Sequence, residues 1–221
     1  MRKLIVFLLL ILLCNSADAQ KYEFDYLLEW ETVEGWRADG STNTVLINSK
    51  NSDYYLTLYK DFKSNGEKAQ IWDSENELNH FYDVSVSGSD EAVLNFTYAG
   101  SSKTGKNKKF STVPMELKEI GQNSYVITTY ATKHKKKPQY RFEFTLEESP
   151  DDLFFFHIEG LNKQEMINLI KSGFPENKHF VIANYKTIYP SGSIEHRKLT
   201  GKQKVALTLE FSPEQLILTK K

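Results

Sequence analysis

Leu161-Asn162-Lys163-Gln164-Glu165-Met166-Ile167-Asn168-Leu169-Ile170-Lys171-Ser172-Gly173 is the one stretch that reads as an amphipathic α-helix in a chain otherwise patterned as β-strands. Asn162 is a favourable N-cap, and Glu165 stands three residues on, where a capping box needs it. Gly173 supplies the stop. Met166, Ile167, Ile170 and Phe174 fall near one face at helical spacing and Leu169 widens it, while Lys163, Gln164, Asn168 and Lys171 fall elsewhere. One face of this helix must be buried against something.

On both sides of it the chain alternates with a period of two. Tyr22, Phe24, Tyr26, Leu28 and Trp30 share a face opposite mostly acids, which is a half-buried strand. Thr44 to Ile47 and Tyr54 to Tyr59 read as a hairpin, Asn65-Gly66 as a tight turn, and Gln70 to Asp73, His80 to Val86, Ala92 to Tyr98, Val113 to Ile120 and Ser124 to Ala131 as further strands. Tyr140, Phe142, Phe144 and Leu146 alternate with Arg141, Glu143 and Thr145 in another. After the helix, Phe180 to Tyr185, Ile194 to Leu199 and Lys204 to Phe211 return to the strand pattern. Ser149-Pro150-Asp151-Asp152 has the form of a helix start, with a serine cap and proline at the first helical position. The apolar run Leu153 to Ile158 that follows it is too short to assign to strand or helix.

About eleven strands at roughly 4.8 Å spacing make a sheet on the order of 50 Å across, whereas a helix about 10 Å wide covers two or three of them. The expected architecture is therefore mainly β: a curled antiparallel sheet, a barrel or half-barrel of about eleven strands, with the amphipathic helix on its concave face. The alternative is a β-sandwich with a peripheral helix.

The N-terminus reads as a signal peptide over residues 1–19. Arg2 and Lys3 precede an apolar run from Leu4 to Leu13, and Ala17-Asp18-Ala19 offers a small-residue cleavage site. The run is about half the length needed to span a bilayer. Leu13 before Cys14 is too bulky for a lipoprotein signal. The expectation is export to the periplasm or the extracellular space, with residues 20–221 as a single β-rich domain. Cys14 is the chain's one cysteine, so the exported domain has no disulfide and must be held by its core.

The chain carries 28 basic and 29 acidic side chains, a net charge of −1, which gives no case for a nucleic-acid partner. Aromatic residues make up 13%, in keeping with strands and with a stacking surface. Gly100 to Asn107 approaches a phosphate-binding loop, but Asn107 replaces the magnesium-binding hydroxyl and no helix follows. His80, His134, His157, His179 and His196 show no metal spacing, and no nucleophile elbow is present. No cofactor and no metal is expected.

Two groups of candidate binding residues remain. Met166 and Ile170 on the helix, with Tyr55 and Tyr59 on one face of a strand, would line a ligand site on the concave sheet. Lys103, Lys106, Lys108 and Lys109, with Lys133, Lys135, Lys136 and Lys137 in the next loop but one, would meet at one end of an up-and-down meander and form a positive patch for an anionic membrane surface or glycan. The leading functional expectation is an exported, non-enzymatic binding protein that holds a lipid-like apolar or amphipathic ligand, or a protein partner. The second is a surface-associated module that recognises polysaccharide or protein. The third, weaker, is a hydrolase whose residues the sequence does not identify.

Overall fold

A computed structural model describes residues 20–35, 42–61, 66–87, 93–104, 113–131, 138–158, 163–175 and 177–211. Residues 1–19, read above as a signal peptide, Asn162, read as a helix cap, and seven of the eight basic-loop lysines (all but Lys103) lie outside the described residues. The strands are β1 (Gln20–Glu34), β2 (Thr42–Asn48), β3 (Asn51–Lys60), β4 (Glu67–Asp73), β5 (Leu78–Ser87), β6 (Val93–Lys103), β7 (Met115–Gly121), β8 (Ser124–Tyr130), β9 (Pro138–Glu148), β10 (Phe180–Ile188) and β11 (Ile194–Phe211). The helix, α1, spans Lys163–Ser172. The strands form one antiparallel sheet in the order β6-β5-β4-β3-β2-β1-β11-β10-β9-β8-β7. That is the curled sheet, and the described strands do not divide into the two sheets of a sandwich. β6 and β7, consecutive in sequence, are its two edges.

Register decides which side chains share a face. Tyr26 lies opposite Ile47, Leu28 opposite Val45, Ile47 opposite Tyr55 and Tyr55 opposite Trp72, so these residues point to one side of the sheet. Leu46, Leu56, Ile71 and His80 follow one another across β2 to β5 on the other side. The first side is concave and takes the cover. Met166, Ile167 and Ile170 of α1 are buried there among Trp30, Ile127, Phe142, Phe144 and Leu146. Leu153, Phe155, Phe156 and Ile158 belong to the same core. Fully burying a side chain such as Met166 or Ile170 contributes about 1.5–3 kcal/mol.

The other side is covered differently. Tyr22 and Phe24 alternate in phase with Tyr26 and Leu28, yet they gather with Leu46, Leu56, Ile71 and Tyr82, with Val205, Leu207 and Leu209 packed alongside. The paired strands β1 and β11 therefore coil past the β2–β3 turn and lap over the outer face of β2 to β5. An irregularity sits at the bend: Phe24 pairs with Leu207 but Tyr26 pairs with Lys204. Bulges of this kind bend a strand and raise its twist. One short helix thus suffices for a broad sheet because the sheet covers part of itself.

Two sequence expectations are corrected. Ile194 to Phe211 is one strand of 18 residues, not two. Its apparent break, Thr200-Gly201-Lys202, is a bulge where Glu29 pairs with Gly201 and Trp30 with Leu199. Ser149 to Asp152 does not start a helix, because tertiary partners take its acids. The Asp151 carboxylate accepts a hydrogen bond from the Tyr26 hydroxyl at 2.5 Å, and the Asp152 carboxylate accepts from the Phe180 N–H at 3.2 Å. Leu153 then bridges Val181 in parallel, its N–H donating to Phe180 O at 2.8 Å, and residues 153–158 cross the concave face as an extended strap.

Candidate functional site

The strap, α1 and the β2–β3 turn part at one place and leave a cleft of about 160 Å³. The turn is built by Asn48, whose side-chain oxygen accepts from the N–H groups of Lys50 at 2.9 Å and Asn51 at 3.1 Å. Asp25 on β1 holds it from outside by accepting from the Ser49 N–H at 2.8 Å. Ser52 reaches across to the helix and donates to the Gln164 side-chain oxygen at 2.6 Å. Ile47, Tyr55, Phe154, Phe155 and Ile167 give the cleft an apolar, largely aromatic floor, and Lys50, Asp152, Lys163 and Lys171 give it its charges.

Those charges are unequal. The Lys171 ammonium lies 3.0 Å from the Asp152 carboxylate, which also has His179 Nδ1 at 3.4 Å. The Lys163 ammonium has no carboxylate partner among the described residues. It stands 4.0 Å from the centre of the Tyr55 ring and 5.6 Å from that of Phe155. Its enclosure among these rings costs it water, and its pKa falls to about 7.

Beneath the cleft an aromatic stack descends into the core. Tyr55 packs edge to face on Phe155 at 5.0 Å and lies parallel to Trp72 at 6.3 Å. Its hydroxyl is 3.3 Å from His157 Nδ1. Burial, with Lys163 and Arg197 adding repulsion, lowers the His157 pKa to about 4. Deeper still, Arg197 lies opposite both Thr32 on β1 and Tyr185 on β10. Its guanidinium pairs with Glu195 at 2.7 Å. Trp30 Nε1, the Tyr185 hydroxyl, the Thr187 hydroxyl and Arg197 Nε are buried without a hydrogen-bond partner among the described residues. Asn79 Oδ1, the Tyr82 hydroxyl and the Thr104 hydroxyl share this condition elsewhere.

A second polar cluster lies on the opposite face. The His80 ring is fully buried, with Nδ1 2.5 Å from Ser101 Oγ and Nε2 2.9 Å from the Tyr22 hydroxyl, which in turn donates to the Asp73 carboxylate. Tyr98 contacts Ser101 at 2.6 Å. The order serine, histidine, acid is that of a hydrolase, but Ser101 is 0% exposed and no substrate carbonyl can reach it. The chain of hydrogen bonds ties β1 to β4, β5 and β6.

The residues singled out in the sequence are spread over several of these environments. Tyr55 forms the cleft floor, whereas Tyr59, further along the same face, is 39% exposed and outside it. Met166 and Ile170 are fully buried in the core, and it is Ile167 that lines the cleft. Lys103 ends the edge strand β6, while the connection after it arrives at the opposite edge, where Pro114 O accepts from the Tyr130 N–H at 3.0 Å. Residues 105–112 and 132–137, with the remaining basic-loop lysines, are outside the described residues. Lys163 and the deep polar set escaped sequence reading. A lysine at the start of an amphipathic helix looks solvated, and Arg197 sits in a strand whose polar and apolar residues do not alternate cleanly.

No group of His, Cys, Asp and Glu among the described residues could hold a metal ion. No described helix is long and apolar enough to cross a membrane. No family model matches the chain, and no curated protein matches it. Among solved structures, a LolA superfamily protein from Nitrosomonas europaea resembles it over 92% of this chain and 91% of its own, at 10% identity and a TM-score of 0.30. A likeness at that score carries no argument about ligand or activity.

Proposed function

We propose that the protein is an exported, non-enzymatic binding protein that holds an amphipathic ligand on the concave face of its sheet, with α1 and the strap as the cover. The observation that carries this reading is the aromatic-floored cleft at the point where strap, helix and sheet part. Its volume of about 160 Å³ is below the about 300–1,000 Å³ of usual small-molecule sites, so it accommodates one end of a long ligand. The remainder is accommodated by movement of α1 away from the sheet, which opens the apolar surface now facing Met166 and Ile170. A helix of ten residues has little stability of its own and depends on those contacts, which suits it to such a role. The unsatisfied polar atoms of Trp30, Tyr185, Thr187 and Arg197 lie on the face that would be uncovered, and they offer hydrogen bonds to polar groups of the ligand.

Native mass spectrometry of protein purified without detergent tests the proposal, together with titration of a fluorescent long-chain acyl probe. A bound amphiphile or saturable probe binding is expected, as is its loss in Ile167→Trp, which fills the cleft. A protein that carries no ligand and does not bind the probe would refute the reading.

A further inference from the structure

We propose that the cleft selects its ligand by charge, with Lys163 as the receptor for an anionic head group, a carboxylate or a phosphate, whose apolar chain continues over the Tyr55 and Phe155 rings. This rests on the reading of the cleft as a ligand site and names the class of ligand. The Lys163 amine lines the cleft and has no hydrogen-bond or ion-pair partner among the described residues. The Lys163 side chain is half-buried, and the groups it packs against are aromatic rings and Ile167 rather than an acid. The one carboxylate among the described residues of the cleft, Asp152, is already engaged by Lys171, His179 and the Phe180 N–H. With Lys50, the described residues of the cleft carry three cations against one committed anion.

The other groups that face Lys163 do not compete for this role. From the strap comes His157, which burial keeps neutral at ordinary pH; from β3 comes Tyr55, whose hydroxyl burial pushes far above its usual range. Neither is an anion. The cation over the Tyr55 ring is held by the ring's negative face while one side of the ammonium remains turned to the cleft, which is where an oxyanion would complete its shell.

The proposal makes binding proton-linked. The free amine titrates near pH 7, and a bound anion holds it protonated to higher pH. Affinity for the anion is therefore full below pH 7 and falls by about tenfold per pH unit above it, until the bound amine also loses its proton.

The test compares lauric acid, lauryl phosphate and lauryl alcohol by isothermal titration at pH 6 and pH 9, with acetate and inorganic phosphate as free anions. For the wild type we expect the acid and the phosphate to bind about tenfold or more tightly than the alcohol at pH 6, and the preference to shrink at pH 9. Lys163→Met should bind all three alike. Lys163→Arg, which cannot lose its proton, should keep the preference at pH 9, a result that no merely structural role for the side chain produces. Equal binding of acid and alcohol by the wild type overturns the charge selection and leaves the cleft as a ligand site. Binding of none of the three overturns both. Acetate or inorganic phosphate binding as tightly as lauric acid overturns the amphiphile in favour of a free-anion site. If Lys163→Met loses the alcohol as well, the pH profile of Lys163→Arg decides.

Discussion

His80 makes the stability of this protein depend on pH in a window above that of the shifted carboxylates Glu148 and Asp151. Its ring is neutral in the folded state, donating from Nε2 to Tyr22 and accepting at Nδ1 from Ser101, and burial holds its pKa near 4 against an ordinary value of 6.5. A depressed histidine contributes stability that is whole above the unfolded value. That stability is lost as pH falls from 6.5 towards 4, because the unfolded chain takes up the proton first. At pH 5 the loss is about 2 kcal/mol, and it levels off near 3 kcal/mol, about the scale of a quarter or more of a typical domain's stability. His157 has the same shift and adds a similar loss. Glu148, held low by Lys178, and Asp151, held low by Tyr26, start from 4.5 and 3.8, so their contributions disappear only at lower pH. Urea unfolding followed by tryptophan fluorescence at pH 7 and pH 5 should therefore show the wild type losing about 4 kcal/mol and His80→Gln about half of that, whatever the variant's absolute stability. The same loss in both proteins would refute the claim that His80 is buried neutral.

Four further outcomes are expected. Ile170→Ala, at a fully buried position under the helix, should cost about 2–5 kcal/mol in denaturant unfolding and weaken near-ultraviolet dichroism from the aromatic core. Gly35→Ala should cost about 1–3 kcal/mol, because φ is +129° and the new Cβ would lie 3.1 Å from Ile194 O and 3.3 Å from Glu195 Cα. Lys163 is depressed from 10.5 to about 7, so the wild type should gain stability between pH 7 and pH 9, by no more than about 3 kcal/mol, and Lys163→Met should not. If Lys133, Lys135, Lys136 and Lys137 contact an anionic surface, changing them to Gln should remove salt-sensitive binding to phosphatidylglycerol vesicles in a flotation assay.

Local pattern carried most of the secondary structure. The alternation of Tyr22 to Trp30 and the helical spacing of Met166, Ile167 and Ile170 are both visible without a structure, because each depends only on which side is buried. The need for curvature was also legible, since it follows from strand count and helix width. Strand order was not. Nothing in β6 or β7 tells that these consecutive strands end up at opposite edges, since edge and centre differ in what lies beside them and not in their own period. The misread start at Ser149 failed for a related reason: Tyr26 and Lys171 compete for its acids, and both are remote in sequence. Tyr55 was recognisable as part of an aromatic face, but which end of that face is core depends on where the strap crosses. Lys163 was hidden because its neighbours, Tyr55 and Phe155, come from two other segments.

The pairing of β1 with β11 at the centre of the sheet has a consequence for the order of events in folding. Among the described strands synthesis delivers β1 first and its partner β11 last, so the half of the sheet from β1 to β6 has its inner edge unpaired until β11 has been made. Tyr22 and Phe24 cannot reach their outer-face cluster before then, because it is the paired ribbon that carries them there. Long-range pairing of this kind is slow, and an exposed half-sheet is open to pairing with a second chain.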